Sequence, residues 1–378
     1  MPLPDQEMKK AAELTRQGRL MEATRVLQRA LAALQDRPAP VDGPATPAHA
    51  WTRAGAPAAD ITDVAFREHA VVPGRAQRPA LAQPAGDPPV RPATFSAHRF
   101  ASGGRSYNYR LYVPPRADAK PLPVIVMLHG CTQDAADFAA GTAMNALAAR
   151  RGCIVVYPEQ LARANSMRCW NWFEPAHQQR GRGEPAMIAA LAAHVVQQCN
   201  GDAGRVYVAG LSAGGAMAAL VGQLYPDVFA AVGVHSGLPA GAASDVQSAH
   251  AAMRKPAPRR PAAAAGLAAA VPTIVIHGRS DRTVHPGNGR QLVEELAAGM
   301  AAAGVPLQRE EQRMTVDGRP VTRTVYTGPD HVPRVEHWEI AAGTHAWSGG
   351  SASGSYTQPT GPDASAAMAD FFLAHHLA

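Results

Sequence analysis

The stretch RVYVAGLSAGGAM, Arg205 to Met217, decides the fold. Its first half, Val206 to Ala209, is a short apolar run of the kind that forms a buried parallel strand. Its second half opens a helical stretch reaching about Tyr225. Between them lies Gly210-Leu211-Ser212-Ala213-Gly214, a GxSxG pentapeptide. A strand that turns at once into a helix strains the residue at the corner, and a side chain two positions away on either side would collide, so glycines flank the serine. The pentapeptide alone is weak, because glycine-rich turns also cradle phosphates. Strand, corner and helix together point to Ser212 as a nucleophile.

Outward from this corner, further apolar runs at Val124–Leu128, Cys153–Tyr157, Ala231–Val234 and Thr273–Ile276 read as buried parallel strands. Arg110–Val113 alternates like an edge strand, and Val335–Ile340 makes a last one. Strands alternating with helical stretches predict an α/β fold, a mostly parallel central sheet with helices on both faces. The stretch 241–272, rich in Ala, Pro and Arg, reads as a loose excursion with some helix.

A serine hydroxyl needs a histidine to take its proton and a carboxylate to hold that histidine in the right tautomer. After Thr273–Ile276 comes HGRSD, which puts Asp281 on a loop at a strand's C-terminal end, where open α/β sheets place their sites. After Val335–Ile340 comes GTHAW, whose small residues let His345 swing over the sheet edge. The order Ser212, Asp281, His345 is that of α/β-hydrolases. His235 reads as a core residue and His277 as part of the turn that presents Asp281. His331 and His337 are placed in a polar loop and a strand. For the charge that develops on a carbonyl oxygen, Ala213 supplies one backbone N–H and Cys131, on the loop after Val124–Leu128, supplies the other. His129 is then structural. The aromatic cluster CWNWF, Cys169 to Phe173, reads either as core or as an apolar wall beside the nucleophile. The wall is the preferred reading, with Trp170, Trp172 and, from the other side, Trp347 as substrate-binding residues.

Five motifs in order carry a family resemblance: HGCTQ (129–133), CWNWF (169–173), RVYVAGLSAGGAM (205–217), HGRSD (277–281) and GTHAWSGG (343–350). From about Tyr107 to Trp347 the chain resembles the poly(3-hydroxybutyrate) depolymerase esterases, a group related to feruloyl and acetylxylan esterases. The resemblance implies Ser212, Asp281 and His345 as a catalytic triad and places polyester or acyl-ester cleavage first among reactions. Substrates would be short-chain polyhydroxyalkanoate or its oligomers, or small aryl and acetyl esters. It also implies that Cys131 and Cys169 are neighbours near the oxyanion loop. Without an export signal or a polymer-gripping C-terminal module, the chain looks more like the intracellular members, which act on storage granules. A granule-surface structural protein is the non-enzymatic alternative, disfavoured because all three triad positions are filled.

Composition sets the remaining limits. In 378 residues there are 34 Gly and 33 Pro, a load of chain breakers that belongs in loops and linkers. No run approaches the ~18–20 apolar residues of a membrane span. The net charge of +6 comes from scattered Arg, not from clusters beside aromatics, which argues against nucleic acid as a partner. Four cysteines make no disulfide scaffold, so free thiols are the default. With no HExxH and no Cys/His pairing at ligand spacing, no metal is expected, and the serine chemistry requires no cofactor. Met1–Lys10 has no apolar core of a secretory signal, which predicts a cytoplasmic location, with granule association as a further expectation. The chain divides into an N-terminal helical segment (1–36), a Pro/Ala-rich linker (37–92) and the hydrolase domain (93–378). The helical segment is a candidate for a granule-facing or oligomer-forming element.

Overall fold

Buried parallel strands are apolar at every position because both faces of the sheet are covered, and the computed structural model bears this out in β3 (Leu122–Leu128) and β4 (Ile154–Pro158). Val124, Val126, Leu128, Ile154 and Val156 enter one core, while Ile125, Met127, Val155 and Tyr157 enter a second core on the opposite face. The structure describes residues 91–116, 120–256 and 271–377, with four isolated positions nearer the N-terminus. Apart from those four positions the expected helical segment 1–36 lies outside the described residues, as does nearly all of the linker 37–92.

The parallel centre of the sheet is completed by β5 (Gly201–Leu211), β6 (Ala231–His235), β7 (Thr273–Gly278) and β10 (Pro333–Ile340), which pair with β3 and β4 in the order β4-β3-β5-β6-β7-β10. Antiparallel strands extend it on both sides. On one lie β1 (Thr94–Ser102) and β2 (Arg105–Val113), and on the other β8 (Gln308–Val316) and β9 (Arg319–Thr327). The expected edge strand Arg110–Val113 is therefore the end of β2, covered by β1.

Both hairpins turn on two residues with positive φ, Gly103-Gly104 at +56° and +72° and Asp317-Gly318 at +47° and +74°. That backbone matches the twist of paired strands and favours Gly or Asp-Gly. β8, QREEQRMTV, is mostly exposed, so it carries no apolar period for sequence reading to detect. The Asp-Gly turn was its available signal.

One core holds α3 (Gly183–Cys199), α4 (Ala213–Leu224), α5 (Val246–Arg254, within the expected excursion) and α6 (Gly287–Ala302). The other holds α1 (Ala135–Thr142), α2 (Met144–Arg151) and α7 (Ala364–Leu373). The chain leaves β3 through α1 and α2 on one face to reach β4. It leaves β5 through α4 on the other face to reach β6. Adjacent strands whose connections depart to opposite faces open a crevice at their C-terminal ends, where ligands of such sheets bind. His129–Gln133 and Ser212 follow these two strand ends.

No helix among the described residues is long and apolar enough to cross a membrane. Packing of α7 on β6 is close: a Cβ on Gly233 would lie 2.7 Å from Met368 Sδ and 2.9 Å from Phe372 Cζ. Gly233→Ala should lower unfolding stability by about 1–3 kcal/mol through overpacking, measured as a reduced urea midpoint; an unchanged midpoint would contradict this packing.

Candidate active site

At the end of β5 the chain turns directly into α4, and Ser212 takes φ +58° and ψ −117°. Its backbone N donates to His235 O at 2.9 Å, extending the β5–β6 ladder to the corner itself. The flanking glycines are required by backbone approach. A Cβ on Gly210 would sit 2.3 Å from the Gly214 carbonyl carbon, and one on Gly214 would sit 2.1 Å from Leu128 O. The corner thus touches the end of β3. There, a Cβ built on Gly130 would be 3.7 Å from Ser212 Cβ, so the loop carrying Cys131 runs beside the serine. Ala213 follows it as the first residue of α4.

The loop after β3 is pinned from below. His129 is buried, donates from Nδ1 to Gly130 O at 2.7 Å and accepts the Gln160 backbone N–H on Nε2 at 3.1 Å. Both nitrogens are occupied by the scaffold, which makes the ring structural. Burial lowers its pKa to about 4. Gly130 N donates to Gln133 Oε1. Cys131 is joined to Cys169 by a disulfide, closing a loop of 38 residues. The free-thiol default therefore fails for this pair and applies to Cys153 and Cys199. A disulfide is at odds with a reducing cytoplasm.

Asp281 and His345 meet at the ends of β7 and β10. His345 Nδ1 donates to Asp281 Oδ2 at 2.7 Å, which leaves Nε2 as the ring's basic nitrogen. Asp281 Oδ1 accepts the backbone N–H groups of Thr283 and Val284 at 2.8 and 2.9 Å. Burial alone would raise the Asp281 carboxyl. The charge of His345 and hydrogen bonds from His277 and His345 instead hold it well below the usual carboxylate range. The two loops close on each other glycine to glycine, for a Cβ on Gly278 would lie 2.3 Å from Gly343 O. Ser280 N donates to Gly343 O at 2.9 Å. Ser212, Asp281 and His345 are 8%, 6% and 9% exposed.

The tryptophans require a correction. Trp170 and Trp347 are fully enclosed and Trp172 is nearly so; none presents a face to a bound ester. Trp170 Nε1 donates to His129 O. Trp347 stacks on His235 with ring centroids 5.1 Å apart and donates to Ser365 Oγ. Trp172 packs edge-on against Phe173. They brace the loops that bear the polar groups, because a large apolar surface is stabilised more by burial than by lining a cleft. His235 is likewise structural: Nε2 accepts the Ser348 backbone N–H at 3.1 Å, tying the segment after His345 to β6. Burial, chiefly, lowers its pKa to about 3.

Two supports escaped sequence reading. Buried Glu184 accepts from Asn171 N, Asn171 Nδ2 and Gln160 Nε2 and so organises the CWNWF loop. The segment 351–357 clamps the loop after β3, through Tyr356 Oη with Thr132 Oγ1 at 2.9 Å and Ser355 N donating to Asp137 at 2.8 Å. Its small polar residues have no periodicity, and the isolated Glu184 gave no pattern. No cluster of metal-ligating side chains occurs among the described residues.

The sequence profile of the family described as Esterase PHB depolymerase matches residues 107–310, just over half the chain. Poly(3-hydroxyalkanoate) depolymerase C of Paucimonas lemoignei is 36% identical over 232 residues, covering 59% of this chain and 54% of that protein. Feruloyl esterase B of Thermothelomyces thermophilus is 34% identical over 151 residues, covering 40% of this chain and 50% of that protein. The chain thus spans about half the length of these curated relatives. An acetyl xylan esterase from Aspergillus awamori shares the fold, with a TM-score of 0.57 at 19% identity over 74% of this chain and 99% of that one.

Two outcomes follow from the scaffold of this site. Opening the 38-residue loop by replacing Cys131 and Cys169 with Ala should cost about 2–4 kcal/mol of stability, read from urea unfolding under non-reducing conditions; equal midpoints would exclude a bridge. His129, His235 and His337 are buried and neutral, with pKa values lowered to about 4, 3 and 4, while the unfolded chain binds their protons near 6.5. Their contribution is complete above about pH 6.5 and is lost as pH falls towards 4, by about 1.4 kcal/mol per pH unit for each histidine. The unfolding free energy should drop steeply from pH 7 to pH 5; a level profile would contradict the buried neutral rings.

Proposed function

Since the chain belongs to the Esterase PHB depolymerase family, we propose that it is a serine esterase that hydrolyses short-chain polyhydroxyalkanoate or its oligomers through an acyl-enzyme. The observation that carries this reading is the 2.7 Å bond between His345 Nδ1 and Asp281 Oδ2, at the same strand-end rim as the strained Ser212 corner. In the proposed reaction His345 Nε2 takes the Ser212 proton as Oγ attacks the ester carbonyl. The tetrahedral oxyanion is held by the backbone N–H groups of Cys131 and Ala213. His345 then protonates the departing alcohol, and a water activated by the same nitrogen releases the 3-hydroxyacid. Asp281 stays ionised throughout, consistent with the two histidines, His345 and His277, whose charge and hydrogen bonds depress its pKa.

The polymer is placed ahead of aryl and acetyl esters because the depolymerase relative aligns over 232 residues and the feruloyl esterase over 151. The Cys131–Cys169 bridge supports action in an oxidising compartment over the reducing cytoplasm expected from the N-terminal sequence. The tests are direct. Ser212→Ala should reduce turnover on the order of 10⁴-fold or more while circular dichroism remains unchanged; retained activity would remove Ser212 from the chemistry. In a panel of amorphous polyhydroxybutyrate, p-nitrophenyl butyrate and methyl ferulate, the polymer should be degraded in preference to the ferulate, and the reverse order would favour an aryl esterase.

A further inference from the structure

The carboxylate of Asp281 is held by more than the histidine of the proposed triad. His277 lies in β7 four residues before it and is fully buried. Its Nε2 is 3.0 Å from Val284 O and 3.3 Å from Asp281 Oδ2. Both partners only accept, so Nε2 carries the hydrogen, donates it to Val284 O and turns the same N–H edge towards Asp281 Oδ2. Oδ2 therefore faces two ring N–H groups, from His277 and His345, while Oδ1 faces the two amides of Thr283 and Val284. A carboxylate offers about four acceptor sites; three here accept hydrogen bonds and the N–H edge of His277 lies 3.3 Å from Oδ2.

The opposite side of the ring shows that packing is not what this histidine serves. Nδ1 is buried with no hydrogen-bond partner, and a Cβ on Gly289 of α6 would lie 2.8 Å from it. An apolar side chain would avoid that unpaired nitrogen. What it could not supply is the N–H that joins the carboxylate to the 281–284 turn.

We infer that His277 is a positioning residue for the Asp281–His345 pair. Its Nε2–H fixes the direction of Oδ2 and withdraws part of the negative charge that His345 would otherwise face alone. The inference rests on the triad proposed above. The other titratable or charged groups near the ring are His235 at the end of β6, His337 on β10, and Glu339, which lies opposite His277 in the β7–β10 register and pairs with Arg290 of α6.

The test compares His277→Leu and His277→Gln in the full chain, using p-nitrophenyl butyrate from pH 5 to pH 9. The glutamine amide can present an N–H near the place of Nε2. His277→Leu should lower kcat on the order of 10- to 100-fold with KM within about twofold, as loss of orientation does. The acidic limb of its kcat/KM profile should move to higher pH, because an undivided carboxylate charge stabilises the imidazolium of His345. His277→Gln should recover most of kcat and return the limb towards the wild-type position. A folded leucine variant with wild-type kcat and profile, or a glutamine variant no better than leucine, would overturn the inference. Should the leucine variant not fold, ¹⁵N-histidine spectra of the wild-type protein decide: the expected result is a ring protonated on Nε2 alone, and protonation on Nδ1 overturns it. Asp281→Asn and His345→Ala in the same assay separate the two levels, since wild-type rates for both would sink the triad itself.

Discussion

The site depends on a backbone contact that admits no side chain. At the corner between β5 and α4, Gly214 comes so close to the end of β3 that a single added carbon would overlap the Leu128 carbonyl. That approach allows α4 to begin one residue after Ser212 and keeps the serine at positive φ above the sheet. A non-glycine residue at positive φ is costly, by about 1–3 kcal/mol where the backbone is sparsely populated. The Ser212 N–H bond to His235 O and the packing of α4 over β5 and β6 oppose its relaxation. The same proximity brings the loop after β3 alongside the serine, so one steric fact sets two parts of the site.

The remaining geometry is held by groups that would be poor reactants. His129 and His235 each accept a backbone N–H on Nε2, so neither has a free lone pair for general-base chemistry. His345 differs because its carboxylate partner takes the Nδ1 hydrogen and leaves Nε2 uncommitted. Three imidazoles near one strand edge are thus distinguished by what each nitrogen touches, not by residue type. Burial deepens the distinction, since desolvation disfavours the charged form of a ring with no anion beside it.

The extent to which this was legible in the sequence follows from the range of the forces involved. The parallel strands were readable because double-sided burial writes a continuous apolar run, and the corner was readable because a backbone collision writes two glycines at fixed spacing. That Asp281 and His345 meet was readable from their loops at the ends of β7 and β10. β1, β8 and β9 were not readable from apolar period, because the edges of the sheet are partly or fully exposed and their register is set by two-residue turns. The tryptophans were misread for the opposite reason. An aromatic cluster near a site motif is equally compatible with a wall and with a brace, and only the surrounding surface distinguishes them. Glu184 left no trace because its partners, Gln160 and Asn171, come from a distant loop.

The placement of Trp170 and Trp347 bears on how the site achieves rigidity. Each lies directly beneath a segment that must hold its backbone in place, Trp170 under the His129 carbonyl and Trp347 against the ring of His235. A loop fixed only by hydrogen bonds to water-exposed groups opens locally at little cost, whereas one anchored by a buried indole opens only by exposing a large apolar surface. The disulfide between Cys131 and Cys169 adds a covalent tie between the same two loops. The apolar mass of these indoles therefore acts one layer further in, bracing the loops after β3 and β10 that flank Ser212.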